Sequence, residues 1–322
     1  MTYEEFASDL PVSRTIVFTS VEENEDAFIR CGVEQPMRQL GKGAYRSDLA
    51  VRSTEQADLY ADRYNKALSM YLDAPKGSVG LLFPRSANGQ FLACGQNLTN
   101  QNLLVIRNGS GADIVIPDRA GSEAFTMSEA RFIEMTEVLC PTYVRPVGMA
   151  VIEGNTTQLQ ALRLSVLNLV AHQEVVPNHE RVANLLEATI TLIGYSSGQR
   201  QPECLLTNAG RVNVAKLTQE FIEEKYCEAV RMEDLCRATG VGIRTLQRSF
   251  REYFDLTITD YLRTVRLDAA HRELAGAHVS RSSVTQIALR HGFSHLGRFS
   301  AQFRERFGQS PRETLAMRAI LS

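Results

Sequence analysis

The segment 213–322 repeats itself, and that repeat constrains the fold more than any other feature of the chain. The first copy, Asp234–Phe250, reads DLCRATGVGIRTLQRSF, and the second, Gln286–Phe303, reads QIALRHGFSHLGRFSAQF. In each, a small residue (Cys236, Ala288) lets one helix lie close against the next. Four residues later comes Gly240 or Gly292, placed to end the first helix in the left-handed conformation. An apolar plug follows (Val241, Phe293), then an expected cap, Gly242 or Ser294. Apolar anchors on the second helix face inward: Leu246 and Phe250 in one copy, Phe299 and Phe303 in the other. The copies are offset by 52 residues up to the glycine and 53 after it, which places one extra residue early in the second helix of copy two.

Between the copies the sequence predicts a helix over 258–275, capped by Thr257 with Asp260 three residues on. A helix of ~18 residues is ~27 Å long, enough to hold two helix-turn-helix units about one turn of DNA apart, ~34 Å. Ser310-Pro311-Arg312-Glu313 has the capping pattern that opens a last helix. Charge agrees with this layout. The chain carries −2 overall, but residues 211–322 hold 18 Lys and Arg against 13 Asp and Glu, and 16 of those cations are arginine. A basic C-terminal third on an acidic body is expected where one domain meets phosphates.

On these residues the region 213–318 resembles the seven-helix DNA-binding domain of the AraC/XylS family. Gly292-Phe293-Ser294 through Phe303-Arg304-Glu305-Arg306-Phe307-Gly308-Gln309-Ser310-Pro311 carries the family's most specific signature. The variant His295-Leu296-Gly297-Arg298-Phe299-Ser300 resembles the branch that includes ethanolamine-operon regulators, although nothing in the N-terminal residues points to ethanolamine. The expected DNA-binding residues are Arg244, Thr245, Gln247, Arg248 and Arg251 in the first unit. In the second they are His295, Arg298, Ser300, Gln302 and Arg304. The resemblance puts Gln247 and Arg248 in the major groove, where Arg pairs with guanine and Gln with adenine; Arg304 is expected on phosphate. The chain departs from the family at Gly242, which replaces the usual cap serine. Leu296, Gly297 and Ala301 also depart, standing where relatives often carry polar base readers. The second helix is therefore expected to read fewer bases, through backbone contacts or a thymine methyl.

The first ~140 residues read as β. Short β-rich runs at 79–83, 90–93, 103–106 and 113–116 alternate with turns at Asn88-Gly89 and Asn108-Gly109, pairs that favour hairpins. The glycine turns Gly41-Lys42-Gly43 and Gly109-Ser110-Gly111 are also read as hairpins rather than phosphate cradles. Helices are expected at 128–139, 156–173 and 178–195, the last two being candidates for a dimer interface or a cover for the β domain. Residues 196–211 have linker composition. The whole is an α+β multidomain chain. A β-rich effector-sensing and dimerisation domain spans 1–196, a linker 197–211, and an all-α domain with two helix-turn-helix units 212–322. The resemblance implies that the first is cupin-like.

The first histidine is His172, so a histidine-ligated metal site among the strands is excluded, and no cofactor is expected. Six scattered cysteines without a Cys-x-x-Cys pair read as free thiols. An acidic N-terminus without an apolar run, and no apolar stretch of membrane-spanning length, point to a cytoplasmic protein without membrane contact. For an effector, Arg38, Tyr45 and Arg46, on an expected strand pair around 37–52, are the first candidates. The expected function is a homodimeric, effector-responsive activator of a nearby operon that senses a small molecule and works with RNA polymerase; the alternative is a constitutive DNA-binding dimer whose N-terminal domain binds no ligand, and an enzyme with a nucleic-acid module is weighed and not expected.

Overall fold

The computed structural model describes residues 2–8, 10, 15–30, 35–87, 89–107, 109–143, 149–171, 179–197, 209–276 and 283–321. The chain divides into two compact units, Met1–Arg38 with Tyr45–Thr207, and Gln39–Ala44 with Asn208–Ser322. The strands are β1 (Thr15–Phe18), β2 (Met37–Gln39), β3 (Ser47–Ser53), β4 (Asp58–Tyr64), β5 (Leu68–Leu72), β6 (Ser78–Ser86), β7 (Phe91–Ala93), β8 (Gln96–Leu98), β9 (Asn102–Arg107), β10 (Ala112–Ile116), β11 (Ala120–Ser128) and β12 (Ala150–Glu153). The first unit's helices are α1 (Tyr3–Ala7), α2 (Val21–Arg30), α3 (Glu129–Leu139), α4 (Thr156–Ala171) and α5 (His179–Ser197). The second unit holds α6 (Ala209–Lys225), α7 (Met232–Thr239), α8 (Ile243–Phe254), α9 (Ile258–Ala275), α10 (Val284–Arg290), α11 (Leu296–Phe307) and α12 (Pro311–Leu321).

The strands of the first unit form two sheets. The larger runs β1-β3-β4-β11-β6-β9-β12 and the smaller β2-β5-β10-β7-β8. Side-chain alternation gives the larger sheet two buried faces. Leu104 and Ile106 of β9 join Leu68, Phe91, Ile114 and Ile116 of the smaller sheet in one core. Leu103 and Val105, between and beside them, join Leu159, Val166, Leu186 and Ile190 of α4 and α5 in another. A strand buried on both faces reads as an unbroken apolar run, which is why 103–106 carries no alternation.

Four turn expectations are corrected. Gly89 and Gly109 have positive φ, 91° and 77° (Asn88 and Asn108 lie outside the described residues). The turns they belong to join β6 to β7 and β9 to β10, which lie in different sheets, so neither closes a hairpin. The turn Gly41–Gly43 likewise joins β2 to β3 across sheets, and the strand pair expected around 37–52 does not form. Gly109-Ser110-Gly111 belongs to the same β9–β10 crossing. A positive-φ turn reverses the chain but does not choose the partner strand; the two-faced core does. One two-residue hairpin forms instead at Cys94-Gly95, φ 48° and 79°, between β7 and β8.

Helices α3, α4 and α5 lie where expected, with Ser128 accepting a hydrogen bond from the Arg131 amide at the start of α3. Pro177-Asn178, and the linker from residue 198 to 208, fall outside the described residues; α6 begins at Ala209, inside the expected linker. Helices α1 and α2 were not expected, yet Thr2-x-x-Glu5 and Ser20-x-x-Glu23 stand at their starts with the Glu5 and Glu23 amides donating to the cap hydroxyls. Among the described residues no helix is long and apolar enough to cross a membrane. Cys94, Cys140, Cys227 and Cys236 form no disulfide, while Cys31 and Cys204 lie outside the described residues.

Two ionisable clusters sit in the larger sheet. Toward the helices, the fully buried Arg63 and Glu123 pair at 2.5 Å. On the neighbouring position Asp62 accepts hydrogen bonds from the Ser122 amide (2.8 Å) and hydroxyl (2.7 Å). Burial nevertheless raises the Asp62 carboxyl from 3.8 to about 6, outweighing those hydrogen bonds. Between these values the folded chain holds a proton that the unfolded chain has released. Stability from this group is therefore complete at low pH and falls as pH rises through about 6. The loss is on the order of 2–3 kcal/mol. Asp62→Asn, which mimics the protonated acid, should stabilise the protein by about that amount at pH 7.5, the gain shrinking toward zero by pH 4. Urea midpoints across this range measure it, and a pH-independent difference would contradict it.

Candidate nucleic-acid interface

The second unit is organised along α9, whose 18 residues match the expected helix, with Thr257 accepting from the Asp260 amide. Near its start Tyr261 packs on Phe250 and Phe254, ring centroids 5.3 and 5.4 Å away. Toward its end Leu267, Ala270 and Leu274 pack with Ile287, Ala288, Phe299 and Phe303. His271 stacks on Phe307 at 4.3 Å. One helix thus carries both copies of the repeat.

In the first copy α7 ends at Gly240, φ 71°, and Gly242 caps α8 without a side-chain bond. In the second, Gly292 has φ 82°. The cap of α11 is His295, not Ser294, and α11 begins four residues after its glycine where α8 begins three after. The extra residue of copy two therefore lies in the turn rather than within the helix. The buried anchors Leu246, Phe250, Phe299 and Phe303 stand as expected. Ser310 and Glu313 form the capping pair at α12.

Arg244, Thr245, Gln247, Arg248 and Arg251 are all exposed on α8, away from the face of Leu246, Phe250 and Tyr253. On the second unit His295, Arg298, Ser300 and Arg304 are exposed and Gln302 is half-buried. His295, Arg298 and Gln302 come together in a shallow groove of about 240 Å³ with Thr259 and Arg263 of α9. The ten residues thus form two outward sets, one per unit.

Several partners were not foreseen. Arg248 donates to Glu252 at 2.7 Å, and Glu252 also takes Arg211 at 3.0 Å. These contacts hold the Glu252 carboxyl below its ordinary range. An i,i+4 pair is legible in a helix, so Glu252 could have been found from spacing. The ties that reach across α9 could not. Asp268 pairs with the buried Arg306 of α11 at 2.7 Å. Glu273 holds both Arg290 and His291 at the end of α10, the latter at 2.6 Å. Arg266 donates to the carbonyls of Tyr226 and Glu228, both at 2.7 Å.

In the first unit Arg38 lies half-buried in β2, Tyr45 is buried in the core between the sheets, and Arg46 is exposed, paired with Asp48 at 2.9 Å. The structure does not bring the three into one cavity among the described residues. Tyr45 instead accepts from the Asn24 amide group at 2.9 Å. Asn24 Oδ1, and Oε1 of the buried Gln35, accept no hydrogen bond from the described residues. The outer side of α4 and α5 forms an open groove of about 1330 Å³, with Tyr195 77% exposed at its edge.

A family model described as a helix-turn-helix domain matches residues 235–317. The chain is 32% identical over 98 residues to the XylDLEGF operon transcriptional activator 2 of Pseudomonas putida, covering 30% of this chain and 62% of that protein. It is 38% identical over 103 residues to the HTH-type transcriptional activator RhaS of Salmonella schwarzengrund (strain CVM19633), covering 31% of this chain and 36% of that one. Among solved structures, a probable AraC family transcriptional regulator from Rhodopseudomonas palustris CGA009 is 31% identical over 33% of this chain and 97% of its own, with a TM-score of 0.32. The chain thus spans less than two thirds of the length of these curated relatives.

Glu273 should matter for the placement of the second unit. Glu273→Gln leaves His291 and Arg290 without their shared carboxylate. Affinity for a duplex that engages both units should fall roughly ten-fold, about 1.4 kcal/mol, within the range for losing a charged hydrogen-bond partner. Affinity for a duplex that engages only α8 should stay unchanged. Titration of the two duplexes checks this, and equal losses on both would refute it.

Proposed function

We propose that the whole chain is an effector-responsive, sequence-specific transcription factor of the AraC/XylS type acting on a nearby operon, a reading supported by the helix-turn-helix match over residues 235–317 and by the likeness of that region to transcriptional activators. One observation carries the reading: two glycine-turn units sit on a single 18-residue helix, and each turns a polar, arginine-bearing face to solvent. In this reading Arg248 and Gln247 meet base edges in the major groove, Arg to guanine and Gln to adenine. Arg251 and Arg304 take phosphates and fix register. Activation is the direction in which the curated relatives act, and RNA polymerase is then the protein partner. The sequence His295–Ser300 supports placing the chain in the branch with ethanolamine-operon regulators, without carrying over their ligand.

For the first unit we propose a small-molecule effector site, with Arg38, Tyr45 and Arg46 joined by Asn24 and Gln35. The support is the pair of buried carbonyl oxygens on Asn24 and Gln35, since a buried acceptor without a partner is costly and a ligand bearing N–H or O–H groups satisfies it. The densely apolar core around Tyr45 favours the second reading, a constitutive dimer whose first unit binds no ligand. Homodimerisation through α4 and α5 accords with their open outer groove. A cytoplasmic location fits a DNA-binding role.

The deciding experiment is titration of the purified chain against its own upstream DNA and against scrambled DNA at two salt concentrations. Tight, salt-sensitive binding with a strong preference for the upstream DNA is expected; equally weak binding to both would count against specific reading. Arg248→Ala should weaken specific binding roughly ten- to a hundred-fold and relax the preference at one base. Glu252→Gln, which releases Arg248 and Arg211, should strengthen binding to any sequence a few-fold and steepen the salt dependence.

A further inference from the structure

Both recognition helices open with a large aliphatic side chain left in solvent. Ile243, the first residue of α8, is 45% exposed, and Leu296, the first residue of α11, is 38% exposed. They are equivalent in the repeat: each stands three residues before the buried anchor, Leu246 or Phe299. The surrounding sequences differ, Val-Gly-Ile-Arg-Thr against Ser-His-Leu-Gly-Arg. A lone exposed aliphatic needs no explanation, but the same exposure at the same place in two divergent copies does.

Resting on the DNA-binding reading above, we infer that Ile243 and Leu296 are specificity-determining residues, each contacting the 5-methyl group of a thymine in its half of the site. The N-terminal end of a recognition helix is the part that reaches base edges. The floor of the major groove offers one apolar group, the thymine methyl, and aliphatic side chains recognise it by contact. The neighbours fit this use. Arg244 and Thr245 follow Ile243, and Arg298 lies two residues after Leu296, all exposed and able to hold the backbone at either side. On α11 a β-carbon at Gly297 would meet nothing within 4 Å, and Ala301 lies one turn further along, exposed. That small-residue strip lets the helix lie close to the bases. With the two helices carried by α9, ~27 Å long, the two thymines fall about ten base pairs apart on one face of the duplex.

The test uses the full chain and a pool of random-sequence duplexes, from which bound duplexes are enriched and sequenced. The best duplex is then resynthesised with single thymine-to-uracil replacements, which remove one methyl group and leave base pairing intact. One replacement in each half-site, about ten base pairs apart, should weaken binding roughly three- to ten-fold. Ile243→Ala should erase the penalty in the first half-site alone, and Leu296→Ala in the second alone; both residues are exposed, so neither change removes core packing. Tight binding that is indifferent to every uracil, or penalties that persist in both variants, would overturn the inference while leaving DNA binding intact. Failure to enrich any duplex would instead overturn the DNA-binding reading, and this inference with it.

Discussion

Helix α9 supplies the constraint on which the second unit depends: two carboxylates on one helix hold the second helix-turn-helix in place. Asp268 grips Arg306 of α11, and Glu273 grips Arg290 and His291 of α10. Apolar packing alone fixes distance better than rotation, because aliphatic and aromatic contacts are non-directional. Charge-assisted hydrogen bonds are directional and fix rotation. A large turn of α11 about its own axis would expose Phe299 and Phe303, so the core resists it; the ion pairs limit the smaller turns that would re-aim Arg298 and Ser300 while the core stays covered. Truncating one partner of such a buried pair is costly because the other charge stays behind, which makes the arrangement hard to lose one residue at a time.

Much of the second unit was legible because its signals are local. Gly240, Gly292, Thr257 and the Ser310–Glu313 pair act within one helical turn, and each stands where the sequence placed it. The exception is instructive. The offset of 53 showed an extra residue in copy two but not on which side of the helix start it lay; the structure puts it in the turn and makes His295 the cap. Spacing counts residues without fixing backbone angles. The inward arginines were illegible for another reason. Arg306 and Asp268 are 38 residues apart, and in sequence Arg306 looks like one more surface cation.

The first unit shows the opposite balance. The runs that fall in β6, β7, β9 and β10 were found, but β1, β4, β5, β8, β11, β12 and the pairing were not, and the Asn-Gly turns misled because hairpin statistics describe turns inside one sheet. Here the runs on either side of Gly89 and Gly109 belong to different sheets, a choice made by burial on two faces: Leu104 and Ile106 must meet the small sheet while Leu103 and Val105 meet the helices. No local window contains that information. The candidate ligand residues failed to cluster for a related reason. Tyr45 and Arg46 are adjacent in sequence, yet one lies in the core and the other at the surface.

The arginine content of the second unit therefore overstates its charge toward DNA. Arg306 and Arg290 are bound to carboxylates on α9, Arg266 to backbone carbonyls, and Arg248 and Arg211 share Glu252. The first three cannot leave their partners without leaving buried or half-buried groups unsatisfied, so they serve the fold. Arg248 and Arg211 differ, because their carboxylate is at the surface, where an ion pair contributes little and exchanges readily for another anion. Under the proposed function, Glu252 would be a placeholder for phosphate or a guanine edge: it holds Arg248 along the helix when DNA is absent and would give way when a stronger acceptor geometry is offered. A wrong sequence offers phosphate but no bidentate guanine, so the competing carboxylate lowers non-specific binding more than specific binding. Under that proposal, an acidic residue beside the arginines of α8 raises discrimination at a small cost in affinity.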